Sequence, residues 1–230
     1  AAQQGAVGFR SIDVTIASLV SLVIYLIPLI ALILGFDAIV GERERGSLDL
    51  LLTLPITRKE LILGKYAGLA GALAFSTIAG FGAVGLILSP QLNLNALFHY
   101  AGFMGSAILL GFSFLSLAVM LSVFAADRTR ASGLAIGMWF FFVLVFDLLL
   151  LGALVVTAGD YGGDIFPYLL LLNPADVFRV LNVFSLDEVR TLYGLATVFP
   201  EALSNPATLG GVMLAWIVGP LAVAIWRFER

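Results

Sequence analysis

The sequence predicts an all-α membrane protein with five transmembrane helices. Three observations lead there. First, 61% of the 230 residues are hydrophobic and 12% are charged, where a soluble globular domain carries roughly 25% charged residues. Second, residues 66–126 form a run of 61 positions without Asp, Glu, Lys or Arg. Third, the uncharged stretches recur at lengths near the roughly 20 residues that a bilayer crossing requires. A β-barrel would need alternating segments of about ten residues, and these runs are longer and uniformly apolar. A net charge of −3 with no basic face excludes a nucleic-acid binder. Zero cysteines exclude disulfides, thiolate copper sites, zinc knuckles and iron–sulfur ligation.

The expected spans are 14–36, about 66–89, about 97–124, about 133–157 and about 208–226. Each must be helical, because lipid cannot satisfy an open backbone. Pro90-Gln91-Leu92-Asn93-Leu94-Asn95 reads as a turn between the second and third. Gly64/Gly68 and Gly133/Gly137 stand at the small-xxx-small spacing that lets helices approach closely.

Basic residues orient the array. Nine (Arg43, Arg45, Arg58, Lys59, Lys65, Arg128, Arg130, Arg227, Arg230) fall on one side and three (Arg10, Arg179, Arg190) on the other. The positive-inside rule places the nine in the cytoplasm. Five spans then leave Ala1 outside, so a sixth, preceding Ala1, is expected to bring both ends inside.

Within a single transmembrane domain over 1–230, residues 41–65 form the expected cytoplasmic loop. Ser47 is placed to cap a short helix, with Leu48, Leu51 and Leu52 at i, i+3, i+4 spacing. Pro55 ends it. Thr57 and Glu60 supply an S/T-x-x-E capping box for the helix that runs into the second span. This pattern describes either an interfacial helix without a partner or a docking helix on which a cytoplasmic protein pushes.

Glu44-x-Gly46-Ser47-Leu48-x-x-Leu51-Leu52-x-x-Pro55-x-Thr57-Arg58-x-x-Leu61-x-x-Gly64-Lys65 resembles the signature of ABC-2 type transporter permeases. The resemblance implies a type V exporter-like transmembrane domain with six spans in the full protein, a homodimer, and a separate ATP-binding subunit docked under the loop. It makes Glu42, Glu44, Gly46, Ser47, Leu48, Leu51, Leu52, Pro55, Thr57 and Arg58 the expected ATPase-coupling site. ATP and Mg would belong to that partner, and no cofactor, metal or catalytic residue is expected in this chain. Gly64-Lys65 is no P-loop, since Lys59 stands where the first glycine would be and Tyr66 follows in place of Ser or Thr.

Three further stretches, 37–42, 142–148 and 170–176, are similar to the NosY branch of the family. That branch serves the transporter that supports copper-centre maturation of nitrous oxide reductase in the bacterial inner membrane. An exporter of lipid, glycan or drug is the alternative within the family. His99 and the four scattered Met residues form no soft copper site.

Asp147 falls near the middle of the fourth span, with no Lys or Arg in any span to pair with it. A carboxylate there needs a partner or a cavity. It reads as a polar lining or switch group, or as a structural tie between helices. A secondary transporter or channel would use it as an ion site, but no inverted repeat accompanies it. An intramembrane protease is set aside for want of a nucleophile–base pair.

Residues 158–207 form the expected extracytoplasmic segment, too long for a plain connector. Asn173-Pro174 is an N-cap with proline at the first helical position. Val177, Phe178, Leu181 and Phe184 then share one helical face, with Asp176 and Arg179 away from it. The helix is read either as resting on headgroups and the bundle's outer end, or as presenting Asn173, Asp176, Phe178 and Arg179 to an extracytoplasmic partner such as a periplasmic β-helix protein.

Overall fold

The computed structural model describes residues 2–89, 94–156, 167–184 and 205–230, with side chains from Leu19 onward except those of residues 88, 95, 154, 183 and 184. Residues 90–93 of the expected 90–95 turn, Arg190, the side chains of Arg10 and Phe184, and most of the outer segment lie outside the described residues; Leu94 and Asn95, expected in that turn, instead begin the helix that runs to Phe124. The described chain is helical: α1 (Ala2–Gly35), α2 (Val40–Arg45), α3 (Ser47–Leu52), α4 (Arg58–Leu88), α5 (Leu94–Phe124), α6 (Arg128–Phe140), α7 (Phe146–Val156), α8 (Pro174–Phe184) and α9 (Pro206–Glu229). Among the described residues five helical stretches are long and apolar enough to cross a membrane: Leu19–Arg45, Arg58–Ile87, Ala96–Phe124, Arg128–Ala153 and Pro206–Glu229. They coincide with the five expected spans, and the fold class stands.

The bundle is built around α5, against which α1, α4, α8 and α9 all pack. Phe103, Ala107, Leu110, Phe114, Leu115 and Ala118 of α5 are buried against Val23, Ile24, Ala31 and Leu32 of α1 and Leu209 and Met213 of α9. Lipid is as apolar as these side chains, so close packing and hydrogen bonds, not water exclusion, hold such helices together. The α5 serines act in that way: Ser116 donates to the Trp216 carbonyl at 2.9 Å and Ser113 to that of Met213 at 3.4 Å.

The close crossings use glycines other than those expected. A Cβ on Gly35 would lie 2.6 Å from that of Ala118, and one on Gly111 would lie 2.6 Å from Leu73. Gly64, Gly68, Gly133 and Gly137 meet nothing within 4 Å. The spacing rule marks where a helix has a smooth stripe, not which stripe its neighbour takes, so the expectation of packing at these pairs is corrected for the single chain.

α1 is interrupted after Gly35 by a turn whose backbone N–H groups would otherwise be orphaned in the bundle. Ser122 of α5 accepts from both Ile39 N (2.9 Å) and Val40 N (3.0 Å). A second core cluster, with Ile39, Leu48, Leu61, Ile62, Val119, Val123, Ile217, Leu221 and Phe228, seats the loop on the basic end of the bundle.

Candidate coupling loop and the buried charge cluster

At the basic end, α2 and α3 meet at Gly46, whose φ of 71° is left-handed. An L side chain is strained there and glycine is not. Asp37 folds back over Gly41, where a Cβ would lie 2.2 Å from its carboxylate. From that position Asp37 pairs with Arg128 at 2.7 Å, joining the turn after α1 to the start of α6.

Ser47 does not cap α3. It is the first residue of the helix, Gly46 precedes it, and the Ser47 hydroxyl donates to the Glu42 carboxylate. Glu42 also holds Lys65 at 2.9 Å, so it clasps α2, α3 and α4 together. Glu44 accepts from the Arg128 backbone N–H at 2.8 Å. Thr57 and Glu60 form the expected reciprocal capping box of α4. Arg58 donates to the Phe228 carbonyl at the end of α9, 2.8 Å away.

Most of the predicted coupling residues therefore build the loop. Leu48 is buried, and Leu51 and Leu52 pack half-buried against the second cluster. Leu51, expected on the docking face, is turned toward the bundle. The outward face is made by Asp49, Leu50, Thr53, Leu54, Pro55 and Ile56, with Leu50 70% and Leu54 52% exposed. Pro55 apart, these are positions that the signature leaves open. Helical spacing carries a signal for them: Leu50 and Leu54 are themselves four residues apart, a second apolar stripe beside the first.

The other cluster lies toward the opposite end. Between α6 and α7 the helix opens into a π turn over Phe141–Val145. Such a turn carries one extra residue and frees a carbonyl from the regular ladder. The Phe142 carbonyl accepts from Asn173 Nδ2 at 2.8 Å. Asn173 also caps α8 as expected, its Oδ1 accepting from Ala175 N at 3.0 Å.

Asp147, at the start of α7, is paired. Arg179 of α8 reaches Asp147 at 3.0 Å and Asp176 at 2.7 Å. No Lys or Arg stands within a span to pair with Asp147; the partner comes from the outer helix instead. Asp176 and Phe178 are both 0% exposed and Asn173 is 1% exposed. The expectation that these residues present a surface to an outer partner is thus corrected: they face the bundle, Phe178 against Phe103 of α5. Arg179 alone of the four is partly open. Burial pushes the Asp176 carboxyl above the ordinary range, the Arg179 guanidinium opposes this, and the nearby Asp147 charge adds to the rise.

The described chain is a multi-pass helical bundle with a seated, signature-bearing loop at one end, and sequence comparison gives its class. The profile of the ABC-2 family transporter protein matches residues 2–230, and the chain belongs to that family. It is similar to two proteins each described as a probable ABC transporter permease protein NosY. The one from Pseudomonas aeruginosa is 45% identical over 237 residues, covering all of this chain and 85% of the relative. The one from Stutzerimonas stutzeri is 44% identical over 234 residues with the same coverage.

Proposed function

We propose that this chain is the permease of an inner-membrane transporter whose ATPase is a separate cytoplasmic subunit docked on residues 41–60, with a second copy completing the membrane half. The observation that carries this reading is the outward apolar face of the loop. Leu50, Leu54 and Ile56 stand exposed at the basic end, on a scaffold held by Glu42, Glu44, Thr57 and Arg58. A charge-braced loop can pass a push from a docked subunit into α1 and α4 without bending. The nine basic residues at that end support its cytoplasmic orientation.

The particular task we infer is support of copper-centre maturation of nitrous oxide reductase, on the resemblance to the NosY branch and the two NosY relatives. In this reading α8 conveys movement outward rather than binding a partner by its own buried face. An outer protein, such as one of β-helix fold, would meet the outer end, where Arg179 is the accessible member of the set. The test is complementation in a denitrifying host deleted for its own permease. Restored copper loading of nitrous oxide reductase, read from its absorption spectrum, supports the assignment. Normal membrane insertion and ATPase assembly with an unloaded reductase would leave a general exporter as the function.

A further inference from the structure

Ten basic side chains are described from Arg43 onward, and six of them (Arg45, Lys59, Lys65, Arg128, Arg130, Arg179) are in ion pairs. The remaining four, Arg43, Arg58, Arg227 and Arg230, make no ion pair among the described residues, and all four line one cleft at the basic end. The cleft has a volume of about 510 Å³ and lies between α3, the end of α5 and the end of α9. Asp49 is the one acidic side chain among the residues that line it.

These guanidiniums are held without being neutralised. Arg43 donates to the Ala125 carbonyl at 3.0 Å and Arg58 to that of Phe228. Carbonyls occupy some of the five N–H donors of a guanidinium and leave its charge. Arg227 lies 5.9 Å from the Phe124 ring and Arg230 4.0 Å from the Trp226 ring. Both rings are about half exposed and sit at the ends of spans. An exposed Trp at a span end marks the headgroup level of a bilayer, so the Arg230 guanidinium stacked on Trp226 lies at that level too. Four guanidiniums around one cleft with a single acidic side chain favour an anion there, and guanidinium geometry suits phosphate oxygens. Basic pockets between transmembrane helices bind anionic headgroups by this chemistry.

We propose that this cleft binds the phosphate of an anionic phospholipid from the leaflet that meets the basic end. The lipid would lie against Leu48 and Leu52 of α3, the row that seats the coupling helix on the bundle, and would brace that helix. The site goes beyond the proposed function and rests neither on the cargo nor on the ATPase.

The test uses the purified transporter complex, delipidated in detergent and titrated with phosphatidylglycerol while bound lipid is counted by native mass spectrometry. Phosphatidylglycerol should be retained and phosphatidylcholine not. Arg227→Gln with Arg230→Gln should weaken retention by about 25-fold, at about fivefold per basic residue. Arg130→Gln, at a paired residue outside the cleft, should leave it unchanged and controls for folding. Equal retention of the two lipids, or no loss in the double variant, overturns the proposal. Displacement of the lipid by inorganic phosphate at millimolar concentration would make this a free-phosphate site and overturn the lipid source. Loss of the ATPase subunit from the double variant with lipid retention intact would assign the cleft to that subunit and overturn it as well.

Discussion

The coupling loop and the outer helix α8 begin from the same kind of sequence signal and end in opposite environments. Each is a short helix with a proline nearby, apolar residues at helical spacing and charges on the other face. In the loop, one apolar row (Leu48, Leu51, Leu52) seats the helix and a second (Leu50, Leu54) is left outside. In α8, the apolar residues Val177 and Phe178 and the polar residues Asn173 and Asp176 are all buried. Periodicity says which residues share a face. It does not say how many faces find a neighbour, because that depends on helices far away in sequence.

The difference is chemical as well as geometric. Charges on the loop meet one another across α2, α4 and α6 where water can reach them, so each pair contributes little alone. Charges on α8 are withdrawn against the fourth span, where an unpaired carboxylate is costly. Fixation of the loop comes from many weak ties, and that of α8 from a few strong ones.

Substitutions can break that contrast, and the largest effect is expected at Arg179. Arg179→Leu leaves Asp147 and Asp176 facing each other without a cation, and should cost about 3 kcal/mol, read as a drop in thermal unfolding temperature in detergent. Adding Asp147→Asn and Asp176→Asn to that variant should recover most of the loss. A fully stable Arg179→Leu single variant would mean that α8 is not latched by charge.

Next comes the inner row of the loop. Leu51→Asp drives a carboxylate against the second core cluster and should destabilise the bundle end by about 2 kcal/mol, seen as faster proteolysis of the loop. Asn173→Leu should follow, at about 1 kcal/mol, by removing one bond to the π-turn carbonyl and one cap; hydrogen exchange at the first turn of α8 is the sensitive measure. Leu50→Asp should be the smallest for the chain itself, within about 0.5 kcal/mol, as for exposed positions generally.

The five spans were legible because charge-free length is a one-dimensional property, and the bilayer imposes it on each segment separately. The capping box of Thr57 and Glu60 and the cap by Asn173 were legible for the same reason: their partners lie within three residues. What the sequence concealed depends on contacts between distant segments. Ser122 serves the backbone of residues 39 and 40, and Arg179 finds Asp147 from 32 positions away. Nothing local in Gly35 or Gly111 distinguishes them from Gly64 and Gly68, yet only the former pair touches a neighbouring helix. The rule that a carboxylate within a span needs a partner wherever that partner lies points from Asp147 to the three basic residues of the outer side, of which Arg179 reaches it.

The most direct measurement is co-purification of the ATPase subunit with the double variant Leu50→Asp/Leu54→Asp, alongside ATP turnover of the reconstituted complex. If the outward face of the loop is where the ATPase docks, the variant chain inserts and unfolds at the normal temperature but loses the subunit and the turnover it stimulates. Undiminished co-purification and turnover from a stable double variant would contradict the account, because the outward face would then carry no contact with the motor.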